Sequence, residues 1–393
     1  MNIRRFELLL MAVFSLAACD PSDISADGRE EPPVDTPPTE QGEMIILLNE
    51  GNWQSDNGQI SLIEDHVITN GWFKAVNGTK IGDTPQHIIS LSDSLLAISV
   101  NWSNIIHYIR PDGTLVASTE DVPNCRYMVS DGKYLYITSY AHDTALGQTY
   151  QKGYVARIDL SDFQVKATCE VGYEPEGIAL YDGRLYVANT GGYAFSENHN
   201  YENTVSVLDA SSMTKIKDIE ILNDEGKRVI NLYGTMSRCE NFLCINSPGD
   251  YYDVPASTVL FNCDDDSYVV YDFPSTYNTV TRDRKFFAIG SAFSYLTYET
   301  NYRIVTIDPF TGDIYEGYLL PDGDVSIEVE EAINAMQNPY CVYQNPYTGH
   351  LYITDAVSYA SSGKVYEFDE NGHSVGEPLK CYINPGHMVA LPR

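Results

Sequence analysis

One strand pattern recurs along the chain, and this repeat constrains the fold more than any other feature of the sequence. Each copy is a short apolar strand of the form Leu-Tyr-Ile, which is followed by a polar loop and a further strand. The seven copies occupy residues 46–48, 95–98, 134–137, 185–187, 242–245, 286–289 and 351–353. Repeated units of this kind cannot bury an apolar face alone, so they must stack on their neighbours to build a core.

The two ends of the repeat region complement each other. Residues 384–391 have the pattern of a first strand with nothing after it, whereas the run from Met44 begins at a second strand. Joining the two runs in one sheet completes a seventh unit and removes the exposed sheet edges. The sequence therefore predicts an all-β fold, a single seven-bladed β-propeller over residues 44–393, closed by pairing of the N- and C-terminal strands in one blade. Helical periodicity is confined to residues 328–336.

Residues 1–18 have the pattern of an export signal. Arg4 and Arg5 precede an apolar run that is shorter than the roughly 20 residues a membrane-spanning helix needs. The small residues before Cys19 resemble a bacterial lipobox, and that resemblance implies cleavage before Cys19 and a lipid anchor on its sulfur. A plain secretory signal with a chance cysteine is the alternative. Residues 19–43 are rich in Asp, Glu and Pro, which predicts a disordered stalk because so few apolar side chains cannot offset the ordering entropy.

Composition and missing motifs narrow the function classes. The chain carries 24 basic and 55 acidic residues, a formal net charge of −31, which argues against nucleic acid or anionic lipid as a partner. The sequence has no GxSxG elbow, HExxH helix, phosphate-binding glycine loop or dinucleotide fingerprint. Its eight cysteines form no CxxC pair, so buried free thiols are expected rather than a zinc site. Asp264 to Asp266 could hold calcium, but a solvated acidic turn on the opposite face is the favoured interpretation.

An aromatic residue follows each second strand within six positions. In a propeller, the loops that leave the second strands and the loops that enter the first strands emerge on one face, around the central channel. Tyr and Trp combine rigid contact area with a polar group, so a ring of them suits an amphipathic ligand. Packing of these side chains between blades is the alternative. The ring members are Trp53, Trp102, Tyr140, Tyr193, Tyr251, Phe293 and Tyr359.

Polar and ionisable residues stand where the first strands begin. His87, Arg126, Glu176 and His387 are predicted near the mouth of the channel, with Met236 and Tyr340 at equivalent places. They could hydrogen-bond a ligand, or they could only satisfy backbone groups and water in the channel. Two histidines suggest a metal, but no third ligand is evident, so no metal site is predicted.

These features together resemble the YncE-like propellers and, among Bacteroidetes surface lipoproteins, the BtuG-type cobalamin-binding family. The resemblance covers the signal, the lipobox, the acidic stalk and all seven repeats, and the acidic stretch after Cys19 also resembles the surface-export signals of such lipoproteins. It implies a cell-surface, outer-membrane lipoprotein without a cofactor that captures cobalamin for a TonB-dependent transporter. The sequence thus predicts a binding protein rather than an enzyme.

Two other classes remain open at this stage. One is a propeller enzyme, a lactonase, a lyase or a quinoprotein-like protein, in which His87, Arg126, Glu176 and His387 act as acid, base and charge stabiliser. The other is a surface-layer or adhesion scaffold that binds protein or glycan.

Overall fold

A computed structural model describes residues 44–141, 151–192 and 201–392 of the chain. The predicted signal over residues 1–18, the lipidation site Cys19, the stalk over residues 19–43 and the ring member Tyr193 lie outside these described residues. No helix within the described ranges is both long and apolar enough to cross a membrane.

The described chain consists almost entirely of short strands. In chain order they are β1 (Met44–Asn49), β2 (Gln59–Glu64), β3 (Val67–Thr69), β4 (Pro85–Ser92), β5 (Leu95–Val100), β6 (Ile105–Ile109), β7 (Leu115–Thr119), β8 (Cys125–Ser130), β9 (Tyr134–Ser139), β10 (Lys152–Asp159), β11 (Gln164–Tyr173), β12 (Pro175–Tyr181), β13 (Arg184–Asn189), β14 (Thr204–Asp209), β15 (Thr214–Glu220), β16 (Met236–Cys239), β17 (Phe242–Ser247), β18 (Ser257–Asn262), β19 (Tyr268–Tyr271), β20 (Tyr277–Val280), β21 (Phe286–Ser294), β22 (Glu299–Ile307), β23 (Ile314–Glu316), β24 (Pro339–Gln344), β25 (Leu351–Asp355), β26 (Lys364–Phe368), β27 (Leu379–Lys380) and β28 (Pro385–Leu391). Two helices accompany them, α1 (Trp72–Asn77) and α2 (Ile327–Ala335).

These strands form seven four-stranded antiparallel sheets. Blade 1 has the strand order β28-β1-β2-β3, and blades 2 to 7 each take the next four consecutive strands, from β4–β7 to β24–β27. In blade 1, β1 pairs with β28 in a register that sets Met44 opposite Leu391 and Leu48 opposite His387. The innermost strand of each blade contacts the innermost strand of the next, all the way round from β28 to β24 and back. The predicted seven-bladed propeller and its closure by the two chain ends are both confirmed.

The core is divided among the seven interfaces between adjacent blades. Side chains alternate along a strand, so β1 sends Ile46 and Leu48 toward blade 2 and Ile45 and Leu47 toward blade 7. Because both faces of each sheet are covered, second strands such as β1 and β5 are largely apolar rather than alternating with polar residues. Each fully buried Leu or Ile stabilises the fold by about 1.5–3 kcal/mol.

The helices differ in how well the sequence predicts them. Helix α2 agrees with the predicted residues 328–336, and the Ser326 side chain caps it by accepting from the backbone N–H of Val329. Helix α1 was not predicted, because it is a single six-residue segment between two left-handed glycines, Gly71 and Gly78. It buries Trp72 and Phe73 in the core between blades 1 and 2.

Most cysteines within the described ranges follow expectation, but Cys341 does not, because it is disulfide-bonded. Six of them are free thiols and buried, namely Cys125, Cys169, Cys239, Cys244, Cys263 and Cys381. Buried free thiols were predicted, and these six confirm it.

Candidate functional site: the mouth of the central channel

Loops from both predicted sets meet at one face, which we call the mouth. In five blades the residue just after the second strand donates its backbone N–H to the carbonyl of the residue just before the first strand. These pairs are Glu50 with Asn384, Asn101 with Thr84, Tyr140 with Asn124, Thr190 with Glu174, and Ala356 with Asn338. The hydrogen bonds tie the two sets of loops together, so side chains from both converge around the channel.

The first strands are irregular where they begin at the mouth. Their pairing with the second strands shifts register between Pro85 and His87, between Cys125 and Met128, between Pro175 and Ile178, and between Pro339 and Cys341. In blade 1 the same kind of shift lies between Pro385 and His387. A β-bulge re-aims the side chain of the extra residue. The residues inside these bulges are Gln86, Arg126, Tyr127, Glu176, Gly177, Tyr340 and Gly386.

Arg126 and Glu176 form a buried ion pair between blades 3 and 4. The Nη2 and Nε atoms of Arg126 lie 2.7 Å and 3.0 Å from Oε1 of Glu176. Its Nη1 donates to Oε1 of Gln86 over 2.7 Å, and the Tyr140 hydroxyl also donates to Glu176. Burial raises the pKa of Glu176, although Arg126 opposes that shift. A pair of this kind gives little net stability, but removing one partner leaves an uncompensated buried charge.

The two predicted histidines do approach each other at the centre of the mouth. The ring centroids of His87 and His387 are 5.3 Å apart, and Tyr127 packs 5.2 Å and 5.9 Å from them. Nδ1 of His87 accepts from the backbone N–H of Met128, which leaves the ring proton on Nε2. Burial, together with His87 and Arg126, holds the pKa of His387 well below its usual range, so this ring is neutral. Among the described residues, no three His, Cys, Asp or Glu side chains gather as metal ligands would.

A second carboxyl, Glu50, lies at the mouth and was not predicted. It is the first residue after β1, it is 4% exposed, and its Oε2 accepts from the Tyr340 hydroxyl over 2.8 Å. Burial raises its pKa to about 8, although the hydrogen bond from Tyr340 and the charge of Arg126 act in the opposite direction. Glu50 is therefore largely a neutral carboxylic acid at pH 7.

We call these buried groups the floor of the mouth. The floor comprises Glu50, Gln86, His87, Arg126, Tyr127, Tyr140, Glu176, Tyr277, Tyr340 and His387. Their side chains come from six of the seven blades. The contacts given above form one group around Arg126 and one around the two histidines, and the Arg126 guanidinium lies 5.9 Å from the Tyr127 ring centroid between them. A third group joins Glu50 to Tyr340 and, through a ring contact at 6.1 Å, to Tyr277.

The predicted aromatic residues do not all play one part: Tyr140 belongs to the floor, and the other described members lie around the floor in what we call the rim. Tyr140 and Tyr251 are buried, and Tyr359 packs on Tyr340 with the ring centroids 5.9 Å apart. Trp53 and Trp102 meet edge to face at 4.8 Å, and Trp53 is 44% exposed. Only some of the predicted aromatic residues therefore present an exposed surface at the mouth, and they do not form a complete exposed ring.

A second aromatic group lies across the mouth from the two tryptophans. Tyr295 is its centre: Tyr252 stacks on it at 5.1 Å, Phe293 meets it at 4.9 Å and Tyr251 at 6.1 Å. Phe293 lies within β21 rather than in the following loop, because that strand continues to Ser294. The tryptophans belong to blades 1 and 2 and the Tyr295 group to blades 5 and 6, with blades 3 and 4 on one side and blade 7 on the other. The two groups therefore face each other across the floor.

Two further clusters lie away from the mouth. The acidic turn is bonded within the protein, since Asn241 donates to Asp264 and Ser267 to Asp265, and it joins β18 to β19 on the opposite face. Between blades 7 and 1, the buried carboxylate of Glu367 accepts from His66 over 2.8 Å and from His350 over 3.0 Å. This second cluster connects the last blade to the blade that closes the ring.

Comparisons with known proteins support the fold. No family model and no curated protein matches this sequence. A putative 6-phosphogluconolactonase from Bacteroides fragilis is similar in structure with a TM-score of 0.56 and 11% identity, over 91% of this chain and 100% of that chain. A functionally unknown protein from Desulfotomaculum acetoxidans gives 0.55 and 12% over 89% and 99% of the two chains. A quinoprotein alcohol dehydrogenase-like protein from Bacteroides thetaiotaomicron gives 0.52 and 10% over 89% and 91%. At these identities the likeness establishes a propeller fold and no activity.

Proposed function

We propose that this protein binds a small amphipathic ligand at the mouth of its channel. The observation that carries the proposal is the placement of two aromatic groups on opposite sides of a buried polar floor. Aromatic rims supply apolar contact area at a low cost in side-chain entropy, and a few fixed polar groups supply orientation. A ligand that fits has flat apolar surface for the rim and hydrogen-bonding groups for the floor.

Cobalamin is the ligand we propose within this class. A corrinoid has a flat ring that carries amide groups at its edge, which suits an aromatic rim above hydrogen-bonding side chains. The choice of corrinoid rests on the resemblance of the signal, the Cys19 lipobox, the acidic stalk and the repeats to cobalamin-capturing surface lipoproteins. The same resemblance leads us to propose a lipid anchor at Cys19 in the outer membrane and delivery to a TonB-dependent transporter.

Titration of the purified protein with cyanocobalamin tests the proposal. We expect saturable binding, and we expect Trp53→Ala or Trp102→Ala to weaken it about tenfold, because each removes an aromatic contact worth about 1–1.5 kcal/mol. Tyr347→Ala is the matched control, since Tyr347 is 49% exposed in the turn between β24 and β25 on the opposite face. Absence of cyanocobalamin binding would rule out a corrinoid as the ligand. Equal losses of affinity in Tyr347→Ala and Trp53→Ala would rule out the mouth as the binding site.

A catalytic role is the second candidate, and Glu50 is the observation that favours it. A carboxyl with a pKa of about 8 beside the hydroxyl of Tyr340 can donate or accept a proton near neutral pH. That property suits ring opening of a lactone or proton abstraction from a uronide. Turnover of either compound by the purified protein, lost in Glu50→Gln, would establish this role, and no turnover would dismiss it.

A further inference from the structure

Glu50 is held at the mouth by contacts on both sides of its carboxyl group. Its backbone N–H bonds the carbonyl of Asn384 over 2.8 Å, which fixes the start of the loop against the start of β28. Its Oε1 lies so close to Gly386 that a Cβ on that residue would come within 2.3 Å of it. Its Oε2 accepts from Tyr340. The carboxyl group is therefore wedged between blades 7 and 1 with little freedom to turn away.

Among the residues that the structure describes, no charged or titratable group forms an ion pair with Glu50 alone. Arg126 is the cation that acts on it, but all three of the guanidinium nitrogens are engaged by Glu176 and Gln86. The nearby tyrosines, Tyr127, Tyr277 and Tyr340, have pKa values raised well above 10 by burial and so carry no charge. His387, next to Gly386, is neutral. If Glu50 were ionised, it would have to share the guanidinium of Arg126 with Glu176 in a medium of low dielectric, which disfavours the ionised form.

Several buried polar atoms of the floor have no hydrogen-bond partner among the residues that the structure describes. They include Oε1 of Glu50, Nε2 of Gln86, the hydroxyl of Tyr277, both ring nitrogens of His387 and Oε2 of Glu176. Each of these residues is at most 4% exposed. With Glu50 protonated, four of them present hydrogen-bond donors, whereas Glu176 and one nitrogen of His387 present acceptors. Buried polar groups normally find partners, so a set dominated by donors calls for a ligand that brings acceptors.

We propose that the mouth presents the carboxylic-acid form of Glu50 as a hydrogen-bond donor and thereby selects ligands whose buried end is uncharged and rich in acceptor oxygens. Amide carbonyls, ethers and sugar hydroxyls have this character. Carboxylates and phosphates do not, since the floor has no uncommitted cation to receive them and Glu176 would repel them. This inference rests on the proposed binding function and deepens it, because it names the chemistry of the end that enters the mouth.

The pH dependence of cyanocobalamin affinity tests this inference in wild type, Glu50→Gln and the control Glu299→Gln, whose side chain is exposed. In wild type and in the control, the association constant should fall as the pH rises above 8, approaching tenfold per pH unit. In Glu50→Gln it should stay level, because an amide cannot ionise. A cobalamin monocarboxylic acid, in which one amide is hydrolysed, should bind wild type at least tenfold more weakly than cyanocobalamin at pH 7 if that group enters the floor. A level profile in wild type would overturn the inference.

Infrared difference spectroscopy of the free protein separates this inference from the ligand assignment. At pH 7 wild type should show the carbonyl stretch of a buried carboxylic acid, which Glu50→Gln lacks and which disappears as the pH rises through 8. Absence of that band in wild type would overturn the inference whatever binds. Presence of the band without any affinity for cyanocobalamin would reject the corrinoid and keep Glu50 as the donor.

Discussion

Replacing Glu50 by glutamine should stabilise the folded protein at neutral and alkaline pH. Burial raises the pKa of Glu50 from 4.5 to about 8, so between these values the native state keeps a proton that the unfolded chain has released. A group whose native pKa is raised contributes stability that is full below the unfolded pKa and is lost as the pH rises through the native pKa. Glutamine is neutral in both states, and its amide oxygen can still accept from Tyr340. Glu50→Gln therefore does not lose this stability as the pH rises.

The size of the effect follows from the separation of the two pKa values. Each unit of separation corresponds to about 1.4 kcal/mol of unfolding free energy. For a pKa that moves from 4.5 to about 8, Glu50→Gln should exceed wild type by less than about 1 kcal/mol at pH 5, by about 3 kcal/mol at pH 7 and by about 5 kcal/mol at pH 9.

Urea unfolding at pH 5, 7 and 9 measures this difference directly. The control Glu299→Gln removes an exposed carboxyl, so its unfolding free energy should run parallel to that of wild type. Parallel profiles for wild type and Glu50→Gln would refute the reasoning, because they would mean that Glu50 has the same pKa in the native and the unfolded state. A variant less stable than wild type at pH 9 would refute it more strongly.

Three further substitutions probe the contacts around the mouth and the closing blades. Arg126→Leu should lower the unfolding free energy by about 3–5 kcal/mol at pH 7, because it leaves the charge of Glu176 uncompensated. Adding Glu176→Leu should restore part of that free energy, and additive losses of the two substitutions in urea unfolding would contradict this. Gly386→Ala should lower the unfolding free energy by about 1–3 kcal/mol and weaken cyanocobalamin binding, because its Cβ would lie 2.3 Å from Oε1 of Glu50. Unchanged affinity would show that the Glu50 carboxyl group can move without affecting the ligand. Glu367→Ala should cost about 1–3 kcal/mol while leaving affinity intact, since it removes a carboxylate that bonds two histidines far from the mouth. Lost affinity at full stability would contradict the independence of this cluster from the ligand site.

The repeat made the fold predictable from sequence because each blade buries the same kind of strand. The pairing of β1 with β28 could be inferred from two incomplete repeats at residues 44 and 384, and this needed no knowledge of side-chain contacts. Helix α2 was predictable for a similar local reason, since Ser326 and the following acidic residues mark its start. Six residues of α1 are too few for a periodic signal.

The site was only partly predictable, because its geometry depends on backbone irregularities. Positions counted from the start of each strand located Arg126, Glu176, His87 and His387 correctly at the mouth, where the bulges aim several of their neighbours inward. Glu50 was missed because its role comes from β28, which is more than 300 residues away in sequence. An alignment of the residues that directly follow each second strand would have singled out Glu50 as an acid where other blades have Asn, Tyr, Thr, Pro or Ala.

The neutrality of the floor follows from propeller geometry. Inner strands meet around one axis, so side chains from six blades are gathered there and buried away from water. One guanidinium cannot neutralise two buried carboxylates, and the carboxyl with the weaker contact takes up the proton. Glu176 touches Arg126 at 2.7 Å and 3.0 Å, whereas Glu50 is bonded to the neutral Tyr340 instead. In a chain with a net charge of −31, the floor thus becomes uncharged by binding a proton at Glu50 rather than by adding a second cation, and this proton is what a ligand would meet.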